Sequence, residues 1–145
     1  MMQKNRRKSR ELALQALYAC EIGDDQDCAT VLSRIMDDSG ADETDSGAYA
    51  KMLVVKVFSQ RAEIDALLQH HTANWDVKRM TAIDRNILRM AVAELQSDED
   101  VPFKVVIDEA VELAKQYGTD DSSKFVNGVI DSIRKEMPEK KNAGT

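Results

Sequence analysis

Every apolar cluster of useful length in this sequence recurs at the three- and four-residue spacing of an α-helix, and none alternates with the two-residue period of a strand. Leu12, Ala13, Ala16, Leu17 and Cys20 gather on one face of a helix from about Arg6 to Ile22, which Gly23 is placed to end. Val31, Leu32, Ile35 and Met36 mark one short helix inside an otherwise acidic stretch, residues 24–46. Tyr49, Leu53, Val57, Ile64 and Leu68 predict a long helix from about Gly47 to Gln69, closed by His70 and His71. After Trp75, in a short connecting segment, Ile83, Ile87, Leu88, Ala91 and Leu95 define a helix with Asp84 and Glu94 near its two ends. A loop over Ser97 to Pro102 leads to a helix from about Lys104 to Tyr117, with Gly118 as its C′ residue. The last helix starts at Asp121 or Ser122 and runs to about Met137, before Pro138. The expected fold class is all-α, with six helices and a seventh near Trp75.

A length of 145 residues suits one domain, and a chain of this size buries roughly two-thirds of its unfolded surface. Two Pro and six Gly exclude collagen-like and low-complexity readings. No run approaches the length of a membrane span. Glu11, Gln15 and Glu21 interrupt the apolar stretch that a signal peptide would need, and the acids and regular helix that follow argue against a transit peptide. Cys20 and Cys28 lack the C-x-x-C spacing, so two reduced thiols in a cytoplasmic protein are expected.

Charge is unevenly spread. The formal net charge is −6, yet residues 1–10 hold Lys4, Arg6, Arg7, Lys8 and Arg10 with no acid, a local +5 that leaves −11 on the rest. A basic arm on an acidic body points to an anionic partner. The reading is therefore a single domain over 1–145, with 1–8 a flexible basic arm and 138–145 a disordered tail. The acids of 24–46 read as a repulsive, soluble surface.

Catalytic signatures are missing: the sequence has no glycine-rich phosphate loop, no H-E-x-x-H and no zinc-type Cys/His spacing. Asp108 and Glu112 form an i,i+4 carboxylate pair, more simply read as helix surface charge than as an acid–base site. Neighbouring helix positions point in different directions, so His70 and His71 are expected to serve the dipole of a helix C-terminus and not to share a metal. No cofactor and no metal are expected.

On a wheel of about 100° per residue, Arg7, Glu11, Gln15 and Tyr18 lie together on the polar side of the first helix. An aromatic beside arginines suits RNA, whose splayed bases stack on rings while cations hold phosphates. The alternative is a tyrosine packed on a neighbouring loop with its hydroxyl in water. In the last helix Val126, Val129, Ile130 and Ile133 form the stripe, and Phe125 sits off it beside Lys124 and Gly128. Phe125 either fills the edge of the core or presents a ring next to a positive charge. Gly128 inside a helix costs about 1 kcal/mol against Ala, which suggests close approach of another backbone or a ligand. Asp121 is the expected N-cap, its carboxylate accepting a backbone N–H and, if partly open to solvent, able to accept from a base.

Three blocks carry a family resemblance: Glu11-Leu12-Ala13-Leu14-Gln15-Ala16-Leu17-Tyr18; Ile83-Asp84-Arg85-Asn86-Ile87-Leu88-Arg89 with Ala93-Glu94-Leu95; and Val101-Pro102-Phe103-Lys104-Val105-Val106-Ile107-Asp108-Glu109-Ala110, continuing through Ala114-Lys115 to Ser122-Ser123-Lys124-Phe125-Val126-Asn127-Gly128-Val129. In order and spacing they resemble the NusB family of bacterial transcription antitermination factors. The resemblance implies two small helical bundles packed across one another, no catalysis, and binding of boxA RNA together with the NusE-type small-subunit ribosomal protein. It also implies an indirect link to other Nus factors and RNA polymerase, and read-through of ribosomal RNA operons. Residue by residue it assigns RNA contact to Lys4, Arg6, Arg7, Lys8, Arg10, Tyr18, Asp121, Lys124 and Phe125, and protein-partner contact to Asp84. Ala93 departs from an aromatic common in the family, which would loosen packing there, and 24–46 matches no motif. A homo-oligomer is compatible with the sequence. So are two other roles: the accessory domain of a ribosomal RNA cytosine methyltransferase, some of which carry a NusB-like domain, and a purely protein-binding helical adaptor.

Overall fold

The computed structural model describes residues 2–23, 27–39, 45–72, 77, 80–97 and 100–137, with backbone alone for 2–5, 38, 39 and 45. Among these residues every regular element is an α-helix: α1 (Met2–Gly23), α2 (Cys28–Ser39), α3 (Asp45–Ser59), α4 (Arg61–His70), α5 (Ala82–Leu95), α6 (Phe103–Tyr117) and α7 (Ser122–Glu136). The chain divides into two compact units, residues 1–61 and 62–145. No helix among the described residues is long and apolar enough to cross a membrane. Trp75 and the tail at 138–145 lie outside the described residues.

In the first unit α1 packs on α2 and α3, which also pack on each other. Leu12, Leu14, Leu32, Leu53 and Val54 are fully enclosed there, and each buried side chain of this size contributes roughly 1.5–3 kcal/mol over leaving it exposed. Because α1 has two helical neighbours, its buried arc is wider than the predicted stripe and takes in Ser9, Arg10 and Leu14. Ser9 donates its hydroxyl to the Ser46 carbonyl at 2.8 Å, tying α1 to the first turn of α3. Helix α1 starts at Met2, so the segment read as an arm is included in it.

The α2 start is held by an acid read only as solvated surface. The Thr30 hydroxyl donates to Asp27 Oδ2 at 2.6 Å and the Thr30 amide to Oδ1 at 3.2 Å. These bonds, the hydroxyl first, hold the Asp27 carboxyl below its ordinary value. Its contribution to the helix start is present above the carboxylate's unfolded pKa and is lost as pH falls through the lowered folded one. Cys20 and Cys28 are joined as a disulfide, with Cα atoms 5.9 Å apart. Two separate thiols were expected; both side chains are inward, and they meet because α2 folds back onto α1.

The single helix predicted over 47–69 is two, broken at Gln60. Ser59 turns its hydroxyl onto the Lys56 carbonyl at 3.4 Å, the local competition by which serine loosens a helix. Periodicity cannot see this break, because Val57 and Ile64 stand seven residues apart and keep the stripe in phase. This split makes the seventh helix.

In the second unit α5, α6 and α7 pack mutually. Thr81 caps α5, its hydroxyl accepting the Asp84 N–H at 3.1 Å, and Arg85 fastens the preceding turn by donating to the carbonyls of Met80 at 2.7 Å and Val77 at 3.0 Å. The buried α5 residues are mostly apolar, and among the polar ones the Arg89 guanidinium, 9% exposed, grips Asp65 of α4 through two bonds of 2.8 and 2.9 Å. Ala93 is completely enclosed. Gly118 closes α6 in an extended conformation, with φ −98° and its N–H on the Ala114 carbonyl, so left-handed geometry does not explain the glycine. Space does: a Cβ there would overlap Ser122 Oγ, stand 2.6 Å from Ser122 Cβ and 2.8 Å from the Ala114 oxygen. Gly118→Ala is expected to lower stability by about 1–3 kcal/mol, read as a lower midpoint in chemical denaturation.

Candidate nucleic-acid interface

The assigned residues fall into a group on α1, in the first unit, and a group at the starts of α5 and α7, in the second. On α1 the row Arg7, Glu11, Tyr18 and Ile22 faces out, and Lys8 and Gln15 border it. Tyr18 is 39% exposed and Ile22 62%. The wheel placed Tyr18 correctly on the polar side.

The basic run divides by helix phase. Arg6 and Arg10, four residues apart, share the inward row with Ala13, Leu14 and Leu17. Arg6 is half-buried and lays its guanidinium 3.9 Å from the centre of the Tyr49 ring on α3, a cation–π contact. Arg10 is 4% exposed and engaged inside the protein. Burial sets Arg10 apart from the surface cations, and the i+3, i+4, i+7 series Arg10, Ala13, Leu14, Leu17 was the available signal. Arg7 and Lys8 remain on the surface, while the side chain of Lys4 lies outside the described set.

At the α7 start Asp121 occupies the N-cap position, but its side chain makes no capping bond. Its carbonyl accepts the Phe125 N–H at 3.1 Å instead. The turn is held one residue later, where Ser122 Oγ accepts the Thr119 N–H at 2.9 Å. The Asp121 carboxylate thus stands at the surface, beside exposed Lys124 and half-buried Phe125. Gly128 is exposed, and a Cβ added to it meets nothing within 4 Å. Among the described residues no neighbouring element approaches closely, which corrects the backbone half of the sequence reading and leaves the ligand half.

Asp84 is 9% exposed in the first turn of α5, and its Oδ1 is buried with no hydrogen-bond partner. The helix dipole favours a carboxylate here, yet a buried acceptor without a donor is costly. Asp108 and Glu112 are both exposed, and Asp108 pairs with Lys104 at 3.2 Å, as expected for helix surface charge.

Helices alone among the described elements, in two compact units, define a small all-α protein that carries cations and a ring on one outward helix face. The sequence profile of the NusB family matches residues 7–135, and the chain belongs to that family. It is 43% identical over 143 residues to the transcription antitermination protein NusB of Geotalea uraniireducens, covering 94% of this chain and 98% of that one. The fold is similar to that of T. maritima NusB, with a TM-score of 0.85 and 36% identity over 94% of each chain. It is also similar to a chain in the crystal structure of the antitermination factors NusB and NusE in complex with dsRNA, with a TM-score of 0.82 and 28% identity over 92% of this chain and 98% of that one. The protein's general role is thus transcription antitermination, and its family comprises RNA-binding regulators and not enzymes.

Proposed function

We propose that this protein binds boxA RNA together with the NusE-type small-subunit ribosomal protein and supports read-through transcription of ribosomal RNA operons. The observation that carries the reading is the outward face of α1, where Arg7 and Lys8 accompany the exposed ring of Tyr18. Cations fix phosphates and an exposed ring stacks on a base, which together suit a single strand. Lys4 and Arg6 extend the cationic run, Arg10 supports it from inside the unit, and Lys124, Phe125 and Asp121 supply a second cation, ring and acceptor. The likeness to a NusB chain crystallised with NusE and dsRNA supports both partners.

Asp84 supports the protein contact. It places a carboxylate in the first turn of α5, 9% exposed, as the acid for a basic side chain of that partner.

Titration of boxA RNA with the protein and its ribosomal partner at several salt concentrations tests the reading. With three or four cations neutralising phosphates, log K against log salt should fall with a slope of roughly −2 to −3 for a single strand. Arg7→Ala with Lys8→Ala should flatten it by about 1 to 1.5. A slope near zero, or one unchanged in the double variant, removes RNA binding by this face. Binding of the ribosomal protein with no RNA in any combination would favour the adaptor role.

A further inference from the structure

The geometry points to a zinc site formed by His70, His71 and Glu136, joining the end of α4 to the last turn of α7 in the second unit. The sequence argument against it assumed that both histidines are helical. Helix α4 ends at His70, however, and His71 belongs to the turn that follows. The two rings meet edge to face, 5.0 Å between centres, and both Nε2 atoms face the same carboxylate oxygen. His70 Nε2 lies 3.8 Å and His71 Nε2 3.4 Å from Glu136 Oε1. The three ligand atoms all fall within 4.8 Å of one another. Three ligands about 2.0–2.2 Å from a tetrahedral Zn²⁺ stand roughly 3.3–3.5 Å apart, so small side-chain rotations close the set and leave the fourth position to water.

His71 carries the argument. Its side chain is 3% exposed, and its buried Nε2 has no hydrogen-bond partner although a carboxylate stands beside it. The other ring nitrogen, Nδ1, lies 2.8 Å from Ser132 Oγ. When Nδ1–H donates to that hydroxyl, Nε2 carries a bare lone pair aimed at an anionic oxygen, an arrangement that a cation between them resolves. Fixing the tautomer of a metal-binding histidine through its second nitrogen is the usual support for such a ligand. Two imidazoles and one carboxylate favour a borderline cation such as zinc over magnesium or calcium. Ser132 and Glu136, four residues apart on one face of α7, serve the same histidine.

Calorimetric titration of the full chain with zinc chloride, and separately with magnesium chloride, tests the site. One zinc per chain and no magnesium heat are expected, with a thermal midpoint that rises with zinc. His70→Ala and Glu136→Gln change exposed side chains, 68% and 61% accessible, and should keep the helical circular dichroism. Each should weaken zinc binding at least about tenfold, and Ser132→Ala, which removes the tautomer-fixing partner, by about 10- to 100-fold. Cobalt in place of zinc should give a spectrum without a thiolate charge-transfer band, which separates this site from the cysteines. No zinc binding, equal binding in all three variants, magnesium heat of the same size, or a thiolate band would each overturn the assignment.

Discussion

Asp65→Ala is expected to cost about 3–5 kcal/mol of folding free energy, because it leaves the Arg89 guanidinium buried without its counter-charge. For a chain of this size that is a fall in melting temperature on the order of 10 °C. Arg89 is 9% exposed on its side chain and meets Asp65 through two short bonds, with a longer contact of 3.3 Å to Asn86 Oδ1 beside them. Lys104 and Asp108 make the contrast: their distance is similar, 3.2 Å, but the side chains are 83% and 60% exposed. Lys104→Ala should therefore cost well under about 1 kcal/mol. Replacing both buried partners, Asp65→Leu with Arg89→Met, should recover most of the loss, since a desolvated pair contributes little beyond an apolar one. Urea denaturation of the four proteins separates these cases, and equal losses for Asp65→Ala and Lys104→Ala would show that burial does not decide the effect.

Tyr18→Ala should weaken boxA RNA binding, measured with the ribosomal partner present, by about 1–3 kcal/mol, or roughly 5- to 150-fold. Stability should hardly change, because the ring is 39% exposed and on the outward row of α1. Tyr18→Phe should retain most of the affinity if the ring stacks, and lose as much as Ala if the hydroxyl makes the contact. Phe125 is a poorer probe, since it is half-buried and has contacts of its own within the protein; its removal mixes folding with binding. Full affinity in Tyr18→Ala would return that ring to a packing role.

The legible part of this protein is its local part. Helix positions follow from apolar spacing, and the stripe Val126, Val129, Ile130 and Ile133 is buried as read. Tyr18 stood out as an aromatic on a polar face, and it is exposed. The break at Gln60 left no trace because seven residues are close to two turns. The division of the basic run was present in the order of the residues, but charge alone was counted and the phase of each arginine was not. Contacts across long separations were not legible at all. Nothing in the composition of α4 tells that Asp65 meets Arg89, or that Glu136 comes to the histidines. The capping bond expected of Asp121 was a fair inference from residue type, yet Ser122 made the local bond instead.

The open space beside Gly128 also makes that position a place for a reporter. A cysteine introduced there should fold as the parent does, with its side chain projecting from α7 where, among the described residues, no neighbouring side chain or other helix lies within 4 Å of the first carbon. A fluorophore attached to it would leave the isolated protein undisturbed, and its emission would change only when something from outside arrives.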